Sequence, residues 1–393
     1  MTERLHDQIN TPMTRRHALG LAALGTATIM GLPGCGGDSG SSSTTTTAMA
    51  GPESFKGETL NIFSWSGYHD KKWLAEYEKL RGVTIKQQLI GSVPDGFAKV
   101  KANPDGFDLV LATSGWVENY ADADLIVPID ESKLPNLKNV TPELSWRDAT
   151  EYKGKNYALI YNWGNEPICW LPDKVPTPDS WRSLWDPANK GKVSLVDDPT
   201  TVMPFIPIML GFEDPFNLND EQFAEMKKQL MALRGQVTHV SASIDDQTAD
   251  FASGEVTTGV LYNISTQVKL RDDGIKLEQA IPNEGAAAWS DNYVLTKAGE
   301  KKAALAYDFM NYTMSVEWQA RFAAATSNTS VLTLDAAKSP EAVEAGLTTK
   351  ALNTTLLPLT ADGPEFFDKI KLLKRVPDVD RWLEAWNEFK TGL

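Results

Sequence analysis

Cysteine is almost missing from this chain: two among 393 residues, Cys35 and Cys169. Cys35 falls at the end of an export leader described below, so Cys169 stands alone in the body. No disulfide framework exists, and Cys169 reads as a small buried hydrophobe. Histidine is nearly as scarce, with only His69 and His239 in the body. No His-Glu-x-x-His, Cys-x-x-Cys, Gly-x-Ser-x-Gly or phosphate loop occurs, so neither a metal nor a cofactor is expected. A Ser-His-acid triad of scattered members is not excluded, because its parts need not be adjacent. Basic residues are outnumbered, 38 Lys and Arg against 52 Asp and Glu, for a net charge of -14. That balance argues against nucleic acid as a partner, because phosphate neutralisation needs clustered Lys and Arg. Beyond the leader no apolar run approaches the length of a membrane helix.

What is present starts with Arg15-Arg16, an uncharged run from Ala18 to Gly31, and Leu32-Pro33-Gly34-Cys35. A twin-arginine pair before a short apolar segment reads as a bacterial export signal, here residues 1–35, that carries folded proteins. The Leu-x-Gly-Cys ending resembles a lipoprotein processing site, with Cys35 the first mature residue and its sulfur the point of lipid attachment. The alternative is an ordinary cleavage point with Cys35 merely nearby. Residues 36–55 are rich in Gly, Ser and Thr, a tether that cannot build a core and would wander over roughly 25 Å. The expected address is the periplasm or the outer face of the cytoplasmic membrane, with the body lipid-anchored.

The body, 42% hydrophobic by the whole-chain count, is long enough for two domains. From residue 58 short β-branched runs alternate with amphipathic stretches, the pattern of an α/β protein. Leu60 to Trp65, Val83 to Ile90 and Phe107 to Ala112 read as strands, with a helix over Asp70 to Leu80. A second set begins with a strand at Lys192 to Val196. A helix opening at Asn219-Asp220 follows, with Phe223, Met226, Leu230 and Leu233 at helical spacing, and then a strand over Val256 to Leu261. Tyr293 to Leu295 reads as a strand and Lys301 to Tyr312 as a helix carrying Leu305, Phe309 and Tyr312 inward. Val379, Trp382, Trp386 and Phe389 form one stripe of a final helix, which packs a core rather than a ligand.

Aromatic residues stand next to short polar or acidic ones at strand ends, where clefts in open α/β sheets form. These are Trp65-Ser66-Gly67-Tyr68, Thr113-Ser114 and Trp289-Ser290-Asp291. An aromatic face attracts an ammonium group by roughly 0.5 to 2 kcal/mol, and an Asp at about 4 Å adds about 4 kcal/mol at an effective dielectric near 20. The combination suits an organic amine. The plainer reading makes Trp65 and Trp289 wall residues and Asp291 a cap. The acidic pairs Asp197-Asp198 and Asp245-Asp246 could bind Ca²⁺ or serve as acid and base, but such pairs more often cap helices or sit in solvated turns.

Ser180 to Pro199 strongly resembles the polyamine-binding proteins of bacterial ATP-driven (ABC) importers, the spermidine/putrescine branch of the extracellular solute-binding proteins. The resemblance extends, in family order, to Phe63–Tyr68, Phe107–Val117, Leu125–Asp130, Gly254–Asn263 and Glu284–Leu295. It implies a type II periplasmic-binding-protein clamp of two lobes joined by three crossings. Lobe 1 would comprise residues 56–163 with 287–337, and lobe 2 residues 164–286 with 342–393. The ligand would lie between lobes that close by hinge motion, and the closed form, a monomer, would dock on an ABC permease. The protein itself would hydrolyse nothing.

By the same resemblance Trp65, Ser66, Tyr68, Thr113, Asp198, Tyr262, Trp289 and Asp291 line the pocket, with Tyr262 where the family usually has Trp. Gly67, Thr201 and Ser265 replace acids found in relatives, Gly115 replaces a Tyr, and Ser327 falls near another. The pocket is therefore expected to be roomier and less anionic. A diammonium ligand with only Asp291 as partner would leave a buried charge unpaired, at a cost of several kcal/mol. Either Asp198, or one of Glu166, Asp245 and Asp246, takes the second ammonium, or the ligand carries a single cationic head. Other readings are an exported enzyme on the same clamp, with His69 or His239 as base, and a ligand-binding sensor.

Overall fold

A computed structural model of the chain describes residues 55–350 and 363–393. The leader, Cys35 and all of the tether but its last residue lie outside them.

Among the described residues two open sheets carry the body. The first is built on β1 (Thr59–Ser64), β2 (Thr84–Leu89) and β3 (Leu109–Thr113), all parallel, with β1 in the middle. Helices Lys71–Arg81 and Val93–Ala102 make the crossovers. The first starts where Asp70 accepts the Lys72 N–H and stops at Gly82, whose φ of 67° lies in the left-handed region. Strand β3 is buried on both faces, hence its unbroken Leu-Val-Leu-Ala-Thr run.

Two-residue β4 (Ile126–Val127) and the hairpin of β5 (Glu151–Tyr152) and β6 (Lys155–Asn156) follow. The chain then enters β7 (Leu159–Asn165) and passes straight into β8 (Ile168–Trp170), which belongs to the second sheet. That sheet has the order β10-β9-β11-β8-β12, with β9 (Val193–Val196), β10 (Val237–Ser241), β11 (Thr258–Val260) and β12 (Glu278–Ala280). Its helix Asp220–Leu233 opens with a reciprocal cap between Asn219 and Gln222 and buries Met226, Leu230 and Leu233.

The return to the first sheet is β13 (Ala286–Thr296), eleven residues long. It pairs antiparallel with β3, β4 and β7 and parallel with β14 (Ile370–Leu372). The final helix, Val379–Thr391, then packs Trp382, Trp386 and Phe389 into the second core. The chain thus passes between sheets at 166–167, at 281–285 and after 372, the three passages the resemblance implies.

The C-terminal stretch divides differently from the expected boundary at 342. Ala342, Leu347, Phe366 and Phe367 pack into the first core, and β14 extends the first sheet; only from Leu373 do side chains join the second core. Tyr312, expected inward, is half-buried, because its ring packs against Tyr77 and Trp318 at the rim of the first core. Cys169 is fully buried, and burial pushes its thiol pKa up.

Candidate functional site

Directly opposed residues on an antiparallel pair share a face, and faces alternate along each strand. Asp291 on β13 stands opposite Thr113 on β3 and Asn162 on β7. Trp289 stands opposite Gly164. One face of the first sheet therefore carries Thr113, Asp291, Asn162, Trp289 and Gly164 together. Beside Asp291 the register slips, since Asn292 pairs with Ile160 and leaves Tyr161 as the extra residue of a bulge, a device that re-aims side chains near sites.

Asp291 is 5% exposed. Its carboxylate accepts from Tyr68 Oη at 2.6 Å and from Thr113 Oγ1 at 2.8 Å. Asn162 Nδ2 donates to Tyr68 Oη at 3.1 Å and fixes that ring from below. Trp65, at the end of β1, brings its indole near enough to help hold Asp291's charge, while Nε1 itself has no hydrogen bond of good geometry. Burial outweighs these donors and raises the Asp291 pKa; the same burial, with the neighbouring Asp291 charge, raises that of Tyr68. The Trp65–Tyr68 turn needs Gly67, whose φ of 81° is left-handed, so an acid there would be strained. Ser66 sits exposed on that turn.

The second sheet supplies Asp198 and Tyr262. Asp198 follows β9 and accepts from Thr200 Oγ1 at 3.0 Å; burial raises its pKa, offset in part by Thr201 and Thr200. Thr200 and Thr201 share a small cavity of about 20 Å³ with Thr113 and Gly115, so the ends of β9 and β3 face each other. Gly115 does not open the room expected of it: a Cβ there would lie 3.1 Å from the Lys374 carbonyl, so the C-terminal segment occupies the space. Asn263 Nδ2 donates to Asn328 Oδ1 and Ser265 Oγ to the Thr326 carbonyl, both at 3.1 Å, which ties the sheets together across the opening. A cavity of about 130 Å³ lies beside the first two passages, lined by Gly164, Asn165, Pro167, Ile281 and Trp289 among others.

Three of the four acids considered for a second ammonium are now distinguishable by position. Asp245 is exposed in a helix's first turn and pairs with Lys269 at 2.5 Å, and Asp246 is exposed beside it. Glu166, between β7 and β8, is 4% exposed and has an unpartnered Oε2; burial first, then the Asp198 charge, hold its pKa well above the carboxylate range. Its only sequence signal is a lone charge in the apolar stretch 158–172. Asn162 gave none.

Neither histidine sits as a catalytic base would. His69 is buried between the hydroxyls of Ser64 and Tyr293, and burial lowers its pKa to about 3. His239, on β10, has Asp250 and Glu255 within 3.3 Å but lies on an edge strand of the second sheet, three places from β8.

Residues 72–350 match the family model described as bacterial extracellular solute-binding protein. The putrescine-binding periplasmic protein PotF of Escherichia coli is 28% identical over 274 residues, 65% of this chain and 73% of that protein. The spermidine/putrescine-binding periplasmic protein of Salmonella typhimurium is 29% identical over 262 residues, again 65% and 73%. The crystal structure of the spermidine/putrescine ABC transporter substrate-binding protein PotD of Streptococcus pneumoniae superposes with a TM-score of 0.67 at 19% identity, covering 85% of this chain and 99% of that one.

Proposed function

Because the chain belongs to the family of bacterial extracellular solute-binding proteins, we propose that it is the capture subunit of an ABC importer whose lobes close on a polyamine or related organic amine. The observation that carries the amine is Asp291. Its buried carboxylate has hydroxyl donors but no Lys or Arg partner among the described residues, and it sits two positions from Trp289 on the same strand face. A buried charge in that state is costly until a cation arrives. Trp65 and Trp289 offer the ring faces that an ammonium and its methylenes favour. In this reading Tyr68 and Thr113 orient Asp291, Ser66 edges the mouth, and Asp198 and Tyr262 close from the other lobe. Putrescine and spermidine, the solutes in the relatives' names, are the first candidates. The protein acts outside the cytoplasm as a monomer, exported through Arg15-Arg16, anchored by lipid on Cys35, and hands its ligand to a membrane permease without chemical change.

Calorimetric titration with putrescine, spermidine and simple amines tests this. Asp291→Asn removes charge and hardly any volume, so amine affinity should fall at least tenfold with the melting profile intact. Equal affinity of variant and wild type for every amine would remove Asp291 as the anchor.

A further inference from the structure

We propose that Glu166 anchors a second ammonium, so that the cleft selects diamines over monoamines of equal length. This rests on the reading that the cleft takes an amine, and deepens it. Along β7 and its exit, Asn162, Gly164 and Glu166 alternate onto one face. Asn162 holds Tyr68, and through it Asp291. At Gly164 an added Cβ would lie 2.4 Å from Cζ2 of Trp289, so the indole lies directly over that glycine. Glu166 comes next, its N–H donating to the Ala287 carbonyl at 3.1 Å. On β13 the matching face reads Asp291, Trp289, Ala287. The face is thus ordered as carboxylate, indole, carboxylate.

Glu166 differs from the other buried acids in being unsatisfied. Its carboxyl is 4% exposed, Oε2 has no hydrogen-bond partner, and no Lys or Arg pairs with it among the described residues. A buried oxygen in this state needs a donor. The titratable groups that bear on it are Asp198, which raises its pKa, and Tyr262, which feels both acids; both come from the second sheet. Burial and the Asp198 charge thus favour the neutral form of Glu166 in the empty cleft, and an arriving ammonium favours the carboxylate.

Spacing sets the ligand's length. Four residues of strand span about 13 Å, and a hydrogen bond of about 2.8 Å at each end leaves about 7 Å between two nitrogens. That fits an extended chain of four or five methylenes lying across the Trp289 ring.

The test is calorimetry of the wild type, Glu166→Gln and Asp291→Asn with 1,4-diaminobutane and 1-aminobutane, in two buffers of different ionisation enthalpy. The wild type should prefer the diamine by at least tenfold and release a proton on binding it. Glu166→Gln should bring the diamine down to the monoamine's affinity and reduce the proton release. Diamine affinity as high in Glu166→Gln as in the wild type overturns the second anchor, and so does wild-type binding without proton release, which needs no variant. In either case a loss in Asp291→Asn leaves the amine reading standing; wild type that binds neither amine overturns both.

Discussion

Asp291 and Glu166 are both buried carboxyls, yet only the first is met by hydroxyl donors. Both have pKa values raised above those of an unfolded chain, about 4, as does Asp198. The folded state thus binds more protons than the unfolded one at pH values between the ordinary and the raised pKa. In that window the slope of stability with pH is negative. Thermal melts of the empty body should show stability falling as pH rises above the ordinary carboxylate range, about 4. Glu166→Gln should flatten that fall, and a variant that declines as steeply as the wild type would mean that Glu166 ionises freely. At this scale the sequence was readable where chemistry sits at strand ends: Trp65, Tyr68, Thr113 and Asp291 do gather. Asn162 was invisible, because nothing in an amide's neighbours announces that it will meet a tyrosine ninety-four residues away. Gly115 misled for a related reason, since the atom filling its space belongs to Lys374.

Strands with β-branched or aromatic residues were legible to within a residue or two, as at β1, β2 and β9. Strand β13 was legible only at Tyr293 to Leu295. Its first half, Ala286-Ala287-Ala288, has no β preference of its own and is extended because β7 and β14 pair with it. Strands β7 and β8 are not legible in the sequence, because Gly164 and Pro167 break what would otherwise read as one run. Gly164 has a packing reason to be small. Gly164→Ala would drive a methyl into the Trp289 ring, costing about 1 to 3 kcal/mol of overpacking if the indole held still. The indole is only half-buried and should swing instead. Amine affinity should then fall about tenfold while the melting temperature moves little. A large melting shift with affinity retained would assign the contact to folding alone.

For the whole molecule, the two-sheet plan followed from the order of elements, whereas the boundary near 342 did not. The segment that returns through β14 is placed by pairing with β13, a long-range contact without local signature. In the proposed reading, side chains that bridge the two sheets, among them the Asn263 to Asn328 pair, hold the lobes closed. Asn328→Ala removes one hydrogen bond worth about 1 kcal/mol, which is about fivefold in the closed-to-open ratio. Ligand dissociation followed by stopped-flow tryptophan fluorescence should quicken by about that factor, with association little altered. Equal off-rates would show that this contact does not latch the lobes.

Strand β13 gives the molecule both its central pairing and, at 287, 289 and 291, every second side chain of the proposed ligand-facing surface. A one-residue insertion or deletion there would rotate the whole series, turning Ser290 and Asn292 toward the opening and hiding Trp289 and Asp291. Single side chains of this series can change one at a time, whereas the frame of the strand is locked by the four partners that pair with it.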